Sequence, residues 1–194
     1  MNIWNKYKIN IPEGKSGDWE VKKFLISEQE AKFDQLRAAI NPHRQNRAVI
    51  AGNYTKLTYQ NQIIMTDTPA EISDLKPLFR NACGNVLLNG LGLGVALQGI
   101  LLNSRVNHVW INEISGDVIN LVGNHYLSLF PEKITIQQAD AFTWKPNGSK
   151  FNVVWHDIWS NICGDNYESM KKLHRKYGRL TEWQDSWCRD QVRR

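Results

Sequence analysis

The sequence predicts an α/β fold in which a parallel sheet is covered by helices on both faces. From Val86 onward, short apolar runs alternate with segments of helical periodicity, which is the pattern of a sheet buried on both sides. The runs end on Gly90, Glu113, Asp140 and Asp157, and in such sheets ligands bind outside the carboxyl ends of the strands. The first run passes straight into Gly90, Gly92 and Gly94, where a backbone without Cβ can turn tightly beneath a ligand and offer it N–H groups.

Each element has a local reason. Trp19 to Ile26 mixes apolar and polar residues as a strand does, and Ser27 with Glu30 forms a capping box that opens a helix. That helix places Ala31, Phe33, Leu36 and Ile40 inside, and Asn41-Pro42 stops it. After a polar break, the runs Ala48 to Ala51, Thr55 to Tyr59 and Gln62 to Met65 alternate β-branched and aromatic residues, with Asn61 in the turn between the last two, and read as an antiparallel hairpin or meander. Thr68 then caps a helix with Pro69 at its first position and Leu75, Leu78 and Phe79 on its buried side.

The parallel part follows as strand Val86 to Asn89, helix Val95 to Leu102, strand Val109 to Glu113, helix Asp117 to Leu129, strand Ile134 to Gln138, and strand Phe151 to Trp155. Two helices complete the chain: Asn166 to Tyr177, capped by Asp165 and closed by Gly178, and Glu182 to Val192, opened by Thr181 and Gln184. The division expected is an N-terminal extension of strand and helix over 1–46, and a cofactor-binding α/β domain over 47–194 that includes the hairpin and the basic C-terminal helices.

The 194 residues, 42% of them hydrophobic, suffice for one substantial core. No apolar stretch approaches the roughly 18 residues of a membrane span, and the first residues lack the apolar core of a signal peptide, so a cytoplasmic protein is expected. Cys83, Cys163 and Cys188 are odd in number and far apart, which suits neither a disulfide framework nor a paired metal site. The net charge of +5 resides in residues 171–194, where eight Lys or Arg face three acids. Lys171, Lys172, Arg175 and Lys176 ring one side of the penultimate helix, opposite Tyr167, Met170, Leu173 and Tyr177. Such a helix either closes the domain or lies along nucleic-acid phosphates, with Trp183 and Trp187 for stacking.

The motifs between about Asn53 and Asp157 are a hairpin and short helix, then Gly90, Gly92 and Gly94, then Glu113-Ile114 with Val118-Ile119, then Asp140-Ala141, then F-N-V-V-W-H-D at 151–157. In this order they resemble the class I S-adenosylmethionine-dependent methyltransferases, and within them the spermidine synthase-like branch. The resemblance implies a Rossmann-like sheet, here truncated after the fourth parallel strand, because only 37 residues follow Asp157 and they read as helix. It implies S-adenosylmethionine as cofactor, with Gly90, Gly92 and Gly94 beneath the methionine part and Glu113 on the ribose hydroxyls. Ile114 lies beside Glu113, Asp140 takes the adenine amino group with Ala141 beside the ring, and Asp157 faces the sulfonium and acceptor as the catalytic acid. Leu88 stands where the wider class carries an acid, as in the spermidine synthase-like branch, but the sequence departs from that branch at Leu93, where the branch carries an aspartate, and at I-W-S-N-I-C after Asp157, where polyamine synthases carry a Ser/Asp/Pro-rich stretch.

From the residues alone, Asp157 at the end of an apolar strand has its pKa raised by burial, which suits proton abstraction, or else it caps the following turn. Asp140 contacts adenine or caps the turn after its strand. His156 points to the opposite sheet face and reads as a core histidine. A nicotinamide dinucleotide is the rival ligand, but its third glycine would fall at Val95. The expected function is methyl transfer to an unknown acceptor. The alternatives are aminopropyl transfer and a noncatalytic nucleoside-cofactor binder or nucleic-acid-associated protein. A bare edge beyond the fourth strand calls for the tail helices, the N-terminal strands or a homodimer to cover it.

Overall fold

A computed structural model describes residues 3–41 and 47–193. Its frame is a five-stranded, wholly parallel sheet in the spatial order β7-β6-β5-β8-β9. The strands are β5 (Gly84–Asn89), β6 (Val106–Glu113), β7 (Ile134–Gln138), β8 (Phe151–His156) and β9 (Thr181–Ser186). The order reverses between β6 and β8 around β5, which makes the doubly wound arrangement and puts a crevice at the end of β5. The α/β fold expected from the sequence is the one observed.

The sheet is not truncated after four strands. Thr181–Ser186, expected as the start of a helix, runs parallel to β8, and only Arg189–Val192 (α8) is helical beyond it. The Thr181 hydroxyl does not cap a helix but donates to Trp183 O at 2.7 Å, with Asn152 O as the alternative acceptor at 3.3 Å. The alternation T-E-W-Q-D-S then sets the Trp183 ring parallel to Trp155, with centroids 6.3 Å apart, and tertiary stacking overrides the weak local preference. The edge of β8 that called for a second subunit is thus paired within the chain.

The antiparallel sheet β1-β2-β3-β4 comprises Gly14–Ser16, Trp19–Ile26, Gly52–Tyr59 and Gln62–Thr66. β2 pairs with β3 over eight positions, from Trp19↔Tyr59 to Ile26↔Gly52. Gln60 and Asn61, both at positive φ, make the tight turn between β3 and β4. Ala48 to Ala51, expected as a strand, carries no ladder. The break after Asn41, Pro42 included, lies mostly outside the described residues.

Helix α1 (Glu28–Ile40) has both bonds of its capping box, yet it turns its small residues inward. Ala31 and Ala38 are buried, whereas Phe33, Leu36 and Ile40 are 59, 66 and 85% exposed, contrary to the expected core. Ala31 meets Ile26 and Tyr54 on the outer face of the antiparallel sheet, a close approach that only a small side chain permits. The helix expected after Thr68 is two, α2 (Pro69–Asp74) and α3 (Lys76–Asn81), separated at Leu75 ahead of Pro77. Thr68 makes no side-chain cap bond.

After β5 comes α4 (Val95–Leu101), and after β6 a helix of three pieces: α5 (Gly116–Val118), a π-helical stretch (Ile119–Gly123) and α6 (Asn124–Leu129). Helix α7 (Asn166–Tyr177) buries Met170, Leu173 and Tyr177 as its periodicity predicts, with Asp165 at its start making no side-chain cap bond.

Candidate cofactor site

The two faces of the parallel sheet differ. One carries Val86, Leu88, Val109, Ile111, Val153 and Trp155 into the main core, and those rows end in acids, Glu113 as the last residue of β6 and Asp157 just past β8. A cavity of about 510 Å³ opens there, a size usual for cofactor pockets. Gly90, Gly92, Glu113, Ile114, Asp140, Ala141 and Asp157 all line it. Gly94 does not.

The glycines have distinct reasons. At Gly90, φ is +98° and a Cβ would collide with the Asp157 carbonyl, so the loop can pass beside β8 only with no side chain. Gly94, at φ +80°, caps α4 where a Cβ would strike the Tyr126 ring, whose hydroxyl donates to Gly94 O at 3.2 Å. Its work is helix entry.

Glu113 is buried and fixed by two backbone donors, Leu91 N to Oε2 and Ser115 N to Oε1, each at 2.8 Å. A carboxylate has about four acceptor sites, so two remain for a ligand. Asp140 caps the turn after β7 as well as lining the cavity, its Oδ1 accepting from Phe142 N at 2.8 Å. Beside these acids the rim is apolar and uncovered, with Ile114 69% and Phe142 39% exposed.

The Asp157 carboxyl is pushed up to about 7, chiefly by burial and further by the charge of Glu71. The Trp155 indole N–H opposes that rise, although it is buried without a well-formed hydrogen bond. His156 points the other way and belongs to a buried row of side chains. Gln137 Nε2 donates to Asn112 Oδ1 (2.6 Å), and Asn112 Nδ2 to Asn89 Oδ1 (2.9 Å). Asn89 Nδ2 donates to His156 Nδ1 (2.9 Å), and His156 Nε2 to Gln184 Oε1 (3.3 Å). This ladder crosses all five strands. Burial holds His156 neutral, its pKa lowered to about 3.

Three contributions to the site were not read from the sequence. Trp19, Leu57, Ile64 and Met65 of the antiparallel sheet roof the cavity, and Met65 Sδ accepts from Leu93 N at 3.3 Å. Ser16 Oγ donates to Asp117 Oδ1 at 2.6 Å and ties that roof to α5. Helix α7 holds the far wall: Lys176 Nζ donates to the carbonyls of Ala141, Phe142 and Trp144 at 2.9, 2.8 and 2.5 Å, and the Tyr177 hydroxyl to Ala141 O at 2.8 Å. The alternation in β3 and β4 signalled a buried face, but nothing local said what it faced.

A second cavity, of about 280 Å³, adjoins the first and shares Ile64, Met65, Asp157, Trp159 and Ser160 with it, adding Arg47, Ile63, Glu71, Ile162 and Trp187. Among the described residues no group of three or more His, Cys, Asp or Glu could hold a metal ion, and no helix is long and apolar enough to cross a membrane.

No family model matches the chain, and no curated protein sequence matches it. Among solved structures it is similar to a candidate RNA methyltransferase from Pyrococcus horikoshii, at 18% identity and a TM-score of 0.44 over 60% of this chain and 54% of that one. It is also similar to the CcbJ methyltransferase from Streptomyces caelestis, at 17% identity and 0.44 over 58% and 44%. A third is magnesium protoporphyrin IX methyltransferase from Synechocystis PCC 6803 with bound S-adenosylhomocysteine, at 13% identity and 0.44 over 57% and 52%. The chain spans about half the length of these structures.

Proposed function

We propose that the larger cavity binds S-adenosylmethionine and that the chain transfers its methyl group. The observation that carries this is the meeting, on one cavity wall, of the glycine turn at Gly90, the oriented Glu113 carboxylate, the uncovered Ile114 and the Asp157 carboxyl at the end of β8. The cavity suits an adenosine-sized molecule, with apolar surface for a base and free carboxylate acceptors for two hydroxyls. Bound there, the cofactor supplies a methyl carbon activated by a sulfonium.

The chain's own groups do the rest. Glu113 accepts from the ribose hydroxyls, Asp140 takes the adenine amino group with Ala141 and Ile114 beside the ring, and Gly90 and Gly92 let the backbone pass close to the methionine part. Asp157, poised near neutrality, accepts the acceptor's proton. Catalysis is otherwise positioning.

Calorimetry with S-adenosylmethionine, S-adenosylhomocysteine and decarboxylated S-adenosylmethionine tests the reading. Binding of the first two in about the micromolar range supports it. Tightest binding of the decarboxylated form would instead favour aminopropyl transfer and the spermidine synthase-like branch, and no binding of any would end the enzyme reading. The exposed Lys172 and Arg175 of α7 and Arg179 in the turn after it support a second proposal, that this face contacts nucleic acid. RNA affinity that falls steeply with salt and is lost when these three are changed to Glu would bear it out.

A further inference from the structure

Helix α1 carries an apolar stripe left bare among the described residues. Ala31 and Ala38 turn one side of the helix inward, where Asp34 Oδ2 also accepts from Val49 N at 2.9 Å. Phe33, Leu36 and Ile40 take the opposite side and stand 59, 66 and 85% exposed. Their spacing of three and four residues sets them in one seam, which the exposed Gln29 extends by a turn. Apolar residues scattered singly over a surface are ordinary, whereas a seam at this spacing is how one helix packs against another.

The charges beside the seam specify what packs there. Glu30 and Arg37, both exposed, border it on one flank, two turns or about 10 Å apart along the axis and on either side of the seam's midpoint. Lys32, also exposed, borders it on the other flank, followed there by Ala39. In a parallel pair of α1 helices opposite flanks would meet, and Lys32 would face the partner's Arg37, like charge on like. An antiparallel pair brings each flank against itself. Glu30 then meets the partner's Arg37, twice by symmetry, while Lys32 meets only the partner's Ala39 and Phe33 seats beside the partner's Leu36. The capping box uses Glu30 Oε2, which leaves Oε1 for that pair.

We propose that two copies of this chain associate through α1 as an antiparallel helix pair about a two-fold axis. Trp19, Leu57 and Met65 roof the larger cavity from the other face of the antiparallel sheet, so this contact is independent of the cofactor reading.

Sedimentation equilibrium of the full chain over a range of concentrations tests the pairing. A monomer–dimer equilibrium is expected, with a dissociation constant of about 10 μM or tighter. Leu36→Glu would bury a charge in the middle of the seam and should weaken it about a hundredfold, leaving a folded monomer because the position is exposed in the single chain. Arg37→Glu turns two attractions into two repulsions and should weaken it about tenfold; lying outside the seam, it keeps the test if Leu36→Glu does not fold. Lys32→Glu should change it by no more than about twofold. A monomer at all concentrations, a dimer indifferent to Leu36→Glu and Arg37→Glu, or a dimer tightened by Lys32→Glu, the mark of parallel pairing, overturns the proposal. So does a monomer that binds anionic phospholipid vesicles through the same stripe, with Leu36→Glu abolishing that binding.

Discussion

The two faces of the parallel sheet treat polar residues in opposite ways. On the face toward the main core, rows of Val, Leu, Ile and Trp155 run unbroken until they end in Glu113 and Asp157, whose carboxylates look into open cavities. On the face toward α7, Asn112, Asn89 and His156 sit within the sheet and satisfy one another. A polar group at the end of an apolar row has spare valence for a ligand, whereas one inside a closed ladder has spent it on the fold. Burial alone therefore does not separate site from scaffold; the unspent hydrogen-bonding capacity does.

Exchanging the roles is the way to break this contrast. Glu113→Ala should cost S-adenosylhomocysteine about 3 kcal/mol, roughly a hundredfold in affinity by calorimetry, because the ligand and two backbone donors lose one acceptor together. Asn89→Leu on the other face should leave that affinity within about twofold, and lower folding stability by about 2–3 kcal/mol in urea melts by orphaning its two buried partners. If either variant moved both quantities equally, the separation of the faces would fail.

A smaller effect sharpens the contrast through protons. His156, lowered to about 3, binds a proton more readily in the unfolded chain, so its contribution destabilises the fold as pH falls from about 6.5. Asp157, raised to about 7, has the opposite sign: below its folded pKa the native state holds a proton that the unfolded chain releases, so the fold gains as pH falls toward about 4. The two offset each other. Asp157→Asn should unmask the histidine and steepen the acid-side loss of stability by up to about 1.4 kcal/mol per pH unit between about pH 4 and 6.5, read from melts across pH. An unchanged slope would show that the two groups are not poised as described.

The smallest expected effect concerns the wall that joins the faces. Lys176→Met removes three donors from the loop carrying Ala141 and Phe142, and should weaken S-adenosylhomocysteine about tenfold, with Lys176→Arg recovering part of the loss. Were nucleic-acid contact its main task, the cofactor affinity would not change.

How much of this was legible follows from which forces are local. Strands β5 to β8 were readable because burial on both faces demands continuous apolar runs, and Gly90, Glu113, Asp140 and Asp157 because strand ends are where such runs stop. Thr181–Ser186 was not, because its strand form depends on Trp155 stacking with Trp183 from another element. Phe33, Leu36 and Ile40 misled for the converse reason: their periodicity is helical, but α1 turns Ala31 and Ala38 inward and meets its sheet through Ala31. The roof residues Trp19 and Met65, the Lys176 clamp, and Arg47 and Glu71 of the second cavity depend on contacts across long stretches of chain, which no spacing in the sequence expresses.

Every donor in the ladder points the same way, from β7 through β6, β5 and β8 to β9, and Gln184 passes the direction on to His174 O at 2.9 Å. No single amide can flip without placing donor against donor at its neighbour. A one-residue slip of any strand would carry its member to the wrong side altogether. The row is therefore a keyed lock on strand alignment, and among descendants of this chain its members should be replaced in concert or not at all.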